Sequence, residues 1–165
     1  MNIEIVQADR ADDEEIKALA VLDEMIFPHK ADLFSEKDWQ YFRKIFEFFW
    51  IFADGVVAGS IHLGLNLEWE GDLPSESPGC LYFAGLGILP EFRRKRITKE
   101  IFNFLNGWQI NYARANGFKR IVATIRKSNI NMVRICEKCG FRITHEVPDF
   151  WESPDEPAVI LELKL

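Results

Sequence analysis

Between Arg93 and Lys99 five of seven consecutive residues are arginine or lysine, interrupted only by Ile97 and Thr98. The chain around them is acidic, with 26 Asp and Glu against 20 Lys and Arg and a net charge of -6. A cationic segment in such a chain suits an anion, because guanidinium groups offer forked donors that match phosphate oxygens. The apolar run Leu81 to Leu89 ends just before the segment and a helical stripe begins within it. It therefore sits where a strand hands over to a helix. Free amides and the positive end of the helix dipole add there to the side-chain charge. The plainer alternative is a solvated basic turn paired with surface carboxylates.

The elements that position this segment follow from periodicity and turn chemistry. Ile3 and Ile5 alternate with Glu4 ahead of Val6, as in a short strand. Asp9 to Asp13 offers acidic capping for a helix that runs to about Phe27, where Pro28 stops it. A second helix starts after Ser35. From Phe48 to Leu67 two β-prone runs flank Asp54-Gly55, a dipeptide that tolerates positive φ at both turn positions, which predicts a hairpin. Asn66 to Gly79, with Gly71, Pro74 and Pro78, reads as an exposed loop, and Leu81 to Leu89 as the next strand. Ile97, Ile101, Phe104, Leu105, Trp108 and Tyr112 mark one face of a helix ending near Asn116-Gly117. Arg120 to Ile125 is another strand, and Ser128 or Asn129 caps a short helix through Lys138 that Gly140 closes. Strands near Phe141 to Val147 and Ala158 to Leu163 complete the chain. The order β-α-α-β-β-β-α-β-α-β-β predicts an α/β fold, a mixed sheet of about seven strands with about four helices, as a single domain over residues 1–165.

Composition narrows the class. With 165 residues, 48% of them hydrophobic, the chain can bury a sizeable core. Its negative charge disfavours nucleic acid and anionic membrane as partners. The run Phe46 to Val57 is broken by Glu47 and Asp54 and is far shorter than the roughly 20 residues of a membrane span. Three cysteines without a signal peptide point to free thiols and a cytoplasmic setting. Cys136 and Cys139 spell C-x-x-C, but no second pair accompanies them and His29, His62 and His145 lack ligand spacing, so no metal is expected. Trp39, Phe42, Phe46 and Phe49 are read as core, with a dimer patch as the alternative, and monomer or homodimer stays open.

Two motifs carry a resemblance. Ile88-Leu89-Pro90-Glu91-Phe92-Arg93-Arg94-Lys95-Arg96-Ile97-Thr98 resembles the acetyl-CoA signature of the GNAT N-acetyltransferases, strand-x-P-x-x-[QR]-x-x-G-x-[GA]-helix, with Arg93 at the [QR] position. Asn129-Ile130-Asn131-Met132-Val133-Arg134-Ile135-Cys136-Glu137-Lys138-Cys139-Gly140-Phe141 resembles that family's N-x-x-A-x-x-x-Y-E-K-x-G-F segment. Arg96 and Thr98 stand where the family has glycines, and Cys136 stands where it has a tyrosine that protonates the departing CoA thiolate.

The resemblance implies a GNAT-like fold and an enzyme that moves an acetyl group from acetyl-CoA, its co-substrate, to a primary amine in a ternary complex. It implies that Arg93, Arg94, Lys95, Arg96, Ile97 and Thr98 hold the pyrophosphate, with Asn129 and Lys138 also at the cofactor. The pantetheine arm then lies along Leu81 to Leu89, and an amide among Leu86, Gly87 and Ile88 polarises the thioester. A base must reach the amine from the neighbouring hairpin strand, Glu68 first, with Glu70 and His62 as alternatives, and Cys136 is the candidate acid. Glu70 and Trp151, in two loops rich in acids and aromatics, are expected to hold a cationic acceptor, a small molecule or a lysine-bearing peptide. A module that binds acyl-CoA without turnover is the rival expectation.

Overall fold

A computed structural model describes residues 1–27, 36–69, 74–93, 95–152 and 155–165. In chain order the elements are β1 (Ile3–Gln7), α1 (Asp13–Ile26), α2 (Glu36–Ile45), β2 (Phe46–Ala53), β3 (Val56–Glu68), β4 (Ser75–Ile88), a 3-10 turn (Pro90–Phe92), α3 (Lys95–Ala115), β5 (Arg120–Arg126), α4 (Ile130–Lys138), β6 (Arg142–Glu152) and β7 (Asp155–Lys164). The seven strands form one mixed sheet in the order β1-β2-β3-β4-β5-β7-β6. β4 and β5 are parallel, paired from Cys80↔Arg120 to Phe83↔Ala123, and the crossover between them is α3. The β1–β2, β5–β7 and β6–β7 pairs are antiparallel.

The chain forms two compact units, residues 1–63 with 85–105 and residues 64–84 with 106–165. In the first, Asp12 caps α1 by accepting from the Glu14 and Glu15 amides at 2.9 and 3.3 Å. Ile16, Leu19, Leu22 and Ile26 form the buried face of α1 at the spacing of an amphipathic helix. Asp54 and Gly55 both take positive φ, 50° and 79°, as the primed hairpin turn between β2 and β3 requires. Trp39 and Phe42 of α2 meet Phe48 and Phe46 of β2 with ring centroids 5.4 and 5.3 Å apart. Trp39, Phe42, Phe46 and Phe49 are all buried, so the aromatic run is core. Each such ring contributes on the order of 1.5–3 kcal/mol by leaving water.

The second unit is built on β5, whose Ile121, Val122 and Ala123 are buried together with Leu81 of β4 and Val159 to Leu161 of β7. Asn129 caps α4 by accepting from the Met132 amide at 3.3 Å, and Gly140 ends the helix at φ 94°.

Three details differ from the sequence reading. The expected loop over 66–79 is mostly strand, since β3 reaches Glu68 and β4 starts at Ser75. Asn66 and Gly79 take φ of 55° and 78°, and Asn66 Oδ1 accepts from the Gly79 amide at 2.9 Å, so the irregularity is absorbed within the ladder. In α3 the buried row is Ile101, Leu105, Gln109 and Ala113, while Phe104 is exposed. The acidic and aromatic stretch after Asp149 is also strand: Trp151 pairs with Glu156 and Glu152 with Asp155. A register shift between Val147 and Trp151 accommodates Pro148, which cannot donate to a ladder.

Candidate functional site

Near its end β4 approaches β3 more closely than side chains allow. A Cβ on Gly59 would lie 2.0 Å from the Gly87 carbonyl oxygen, and one on Gly87 would lie 2.6 Å from Ile26 Cγ2. The Gly87 carbonyl thus fills the space of a side chain on β3. In a planar peptide the next N–H is antiparallel to the carbonyl, so the Ile88 amide is directed away from β3. Leu89 then rejoins the ladder by donating to the Ala58 carbonyl at 2.9 Å. Of the three residues expected at the thioester, Leu86 is half-buried and Gly87 and Ile88 are buried.

The 3-10 turn over Pro90–Phe92 carries the chain toward α3. Arg93 does not extend toward an anion. Its Nε donates to the Ile88 carbonyl at 2.7 Å and its guanidinium also to the Ile26 carbonyl. The side chain expected on the pyrophosphate instead ties the end of α1 to the end of β4, and its own amide donates to Pro90 at 3.2 Å. Arg94 lies outside the described residues. Lys95, Arg96, Ile97 and Thr98 are in the first turn of α3. Arg96 and Thr98, which replace the signature glycines, hence adopt a helical backbone in which a Cβ is tolerated. A helix start leaves its first amides without intrahelical acceptors.

The expected acid and base are both placed in structural roles. Glu68 Oε2 accepts from Ser77 Oγ at 3.0 Å and from Arg120, whose other nitrogen reaches Glu68 Oε1 at 3.3 Å and Glu162 Oε2 at 3.0 Å. Both oxygens of Glu68, the expected base, are thus engaged within this cluster. Cys136 is 6% exposed, and burial, then its neighbours Cys139 and Glu137, push its thiol up to about 12. Giving a proton to a thiolate of ordinary basicity, near ~8.5, runs uphill by about three orders of magnitude. Cys136 is thus a buried side chain held in its thiol form.

Trp151 is likewise already engaged. The Arg126 guanidinium lies 4.5 Å from its ring centroid, and Arg126 also bonds Glu156 at 3.0 Å. Glu156 accepts in addition from the Ser128 amide and hydroxyl at 3.0 and 3.1 Å. The cation that Trp151 was expected to receive from a substrate is supplied by the chain itself, and Glu70 lies outside the described residues. Asn129 spends its side-chain oxygen on the α4 cap, and Lys138 is exposed at the end of that helix. Among the described residues no group of three or more potential ligands gathers to hold a metal.

One group was only half anticipated. His62 is buried in the first unit beside Asp23 of α1 and Ser60 of β3. Neither partner has a local pattern that announces it, although a buried acid at position 23 interrupts the apolar face of α1.

A family model described as acetyltransferase (GNAT) family matches residues 14–141. No curated protein matches the sequence. Among solved structures, the ribosomal-protein-S18-alanine N-acetyltransferase from Escherichia coli aligns at a TM-score of 0.73 and 13% identity, covering 99% of this chain and 94% of its own. A GNAT family acetyltransferase from Elizabethkingia anophelis with acetyl-CoA bound aligns at 0.68 and 15% identity, covering 99% of each chain. Arabidopsis thaliana Naa50 in complex with the bisubstrate analogue CoA-Ac-MVNAL aligns at 0.70 and 14% identity over the whole of both chains. At these identities the likeness is one of fold. No helix among the described residues is long and apolar enough to cross a membrane.

Proposed function

Because the chain belongs to the acetyltransferase (GNAT) family, we propose that it is a single N-acetyltransferase domain over residues 1–165 that moves the acetyl group of acetyl-CoA to a primary amine. The amine attacks the thioester directly in a ternary complex. The observation that carries this reading is the backbone at the end of β4, where the Gly87 carbonyl occupies the side-chain space of Gly59 and the Ile88 amide is turned away from β3. An amide released from its own ladder is a preorganised donor for the carbonyl of a thioester as negative charge develops on it.

In this reading the first turn of α3 receives the pyrophosphate. Backbone amides and the helix dipole favour an anion there, and the segment Arg94, Lys95, Arg96, Ile97 and Thr98 brings three positive charges to it. Arg93 contributes by holding β4 and α1 together rather than by touching phosphate. Asn129 and Lys138 remain proposed cofactor contacts on the strength of the second motif.

The acceptor class is a primary amine on a small molecule or a peptide. Two structural neighbours favour the peptide arm, one named for a ribosomal-protein alanine and the other bound to a peptide-CoA analogue. The occupied face of Trp151 argues against a cation-π cage for a polyamine. The rival reading, an acyl-CoA binder without turnover, draws on the buried Cys136 at the tyrosine position.

Thiol release from acetyl-CoA with a panel of peptide and small amines separates the two, since a binder shows affinity without turnover. Arg96→Glu is expected to raise the acetyl-CoA dissociation constant at least tenfold, about 1.4 kcal/mol. An unchanged constant in both Arg96→Glu and Arg94→Glu would remove the pyrophosphate assignment.

A further inference from the structure

Asp23 and His62 are nearly inaccessible, at 4% and 5% exposure, in a unit whose interior is otherwise apolar and aromatic. Ser60 Oγ donates to Asp23 Oδ1 at 3.2 Å. His62 Nε2 faces the same oxygen at 3.7 Å, too far for a hydrogen bond and near enough for charge to act. That nitrogen has no hydrogen-bond partner. Trp39 and Phe48 meet the imidazole edge to face, with centroids 5.5 and 5.1 Å away.

The other ring nitrogen lies against β4. A Cβ on Gly85 would sit 3.0 Å from His62 Nδ1, closer to it than to any other atom of the ring. Gly85 is only half-buried, so the strand expected to carry the thioester has a gap in its side-chain cover beside this nitrogen. A buried imidazole nitrogen with unmet hydrogen-bonding capacity, set beside a buried carboxyl, costs stability that an apolar pair would not. Such an arrangement is a mark of chemistry rather than of packing.

Resting on the acyl-transfer reading above, we infer that His62 is the base that takes the proton of the acceptor amine, through Nδ1 at the gap left by Gly85, with Asp23 steadying the imidazolium.

The protons balance in three moves. The bound ammonium gives one proton to His62, directly or through a water, and becomes a free amine. Its nitrogen bonds to the acyl carbon as the carbon–sulfur bond breaks, and the thiolate takes the second proton, shed by the new amide nitrogen. His62 then returns its proton to solvent. Burial holds the imidazole below its usual range, opposed by Asp23, so it is neutral and able to accept near neutral pH. Burial raises the Asp23 carboxyl, against the pull of His62 and the Ser60 hydrogen bond. Of the elements around the ring, α1 contributes Asp23, α2 Trp39, β2 Phe48, β3 Ser60 and β4 the backbone of Gly85, and among these described residues only Asp23 titrates.

The test is acetyl transfer measured from about pH 5.5 to 9 for the wild type, His62→Gln, Asp23→Asn and Gly85→Ala. Acetyl-CoA affinity and thermal unfolding are followed in parallel. His62→Gln should lower kcat at least ~100-fold while leaving acetyl-CoA affinity intact, and the acid limb of the rate profile should vanish. Asp23→Asn removes the group that raises the imidazole, so its acid limb should move to lower pH. Gly85→Ala should lower kcat by pressing a methyl group against Nδ1. A folded His62→Gln with an unchanged kcat and pH profile would overturn the assignment. Should that variant fail to fold, an unmoved acid limb in Asp23→Asn overturns it equally. A wild type that acetylates no amine at any pH sinks the acyl-transfer reading itself, and this role with it.

Discussion

Around Arg120 and around His62 the chain buries charged and polar side chains on opposite terms. Arg120 joins Glu68, Glu162 and Ser77, and every distance between them is that of a formed hydrogen bond or ion pair. The side chains stay partly exposed, 28% for Arg120 and 17% and 18% for the two glutamates. His62 and Asp23 are far deeper, yet the contact between them stops short of a bond. A satisfied cluster at a strand end spends its capacity on holding strands together. A buried imidazole with one nitrogen unpartnered keeps capacity in reserve for something that arrives later. By that measure Glu68, the more obvious base in the sequence, is the worse one.

The sharpest way to break the contrast is Arg120→Met, which leaves Glu68 and Glu162 without their shared cation. Unfolding by denaturant should show a loss of about 2–4 kcal/mol, discounted for the exposure of the network. A midpoint that does not move would mean that the cluster holds nothing. The next effect is in the pH dependence of stability. His62 is depressed when folded, so its contribution is present above the unfolded value of 6.5 and is lost as pH falls through the folded one. Unfolding midpoints of the wild type should therefore decline on acidification below that value, and His62→Phe should flatten the decline. An identical slope in both would show that the imidazole does not titrate. The smallest effect is expected for Arg126→Gln, which gives up the stack on Trp151 and the ion pair with Glu156, whose carboxylate Ser128 still holds, at a cost of about 1–2 kcal/mol. If the freed ring can receive a substrate cation, KM for diamines should fall in that variant while KM for peptide amines stays put.

The order of all eleven helices and strands was legible because each carries a local signal: Asp54-Gly55 for the turn, Pro28 after α1, Asn129 and Gly140 at the ends of α4. The site was legible only as far as backbone position. Arg93 stands where the motif puts it, but its carbonyl partner Ile26 is 67 residues away. Glu68 finds Arg120 across 52 residues, and Arg126 finds Glu156 across 30. Such pairings follow from strand order and register, which no short pattern records. The same reason explains Asp23, which reads as one more acid in an acidic helix until β3 sets Ser60 and His62 beside it.

The close crossing of Gly59 and Gly87 bears also on how the chain finds its fold. A hairpin slides easily when its strands present similar residues at every rung, and a slip of one residue turns each side chain to the wrong face. Here a carbonyl of one strand occupies the volume that any side chain at the facing position would need. The fit is met when Gly59 arrives under Gly87, whereas the neighbours Ala58 and Ser60 would each bring a Cβ into that oxygen. The two glycines thus act as a key for alignment, since any other residue at the facing position would bring a side chain into that oxygen.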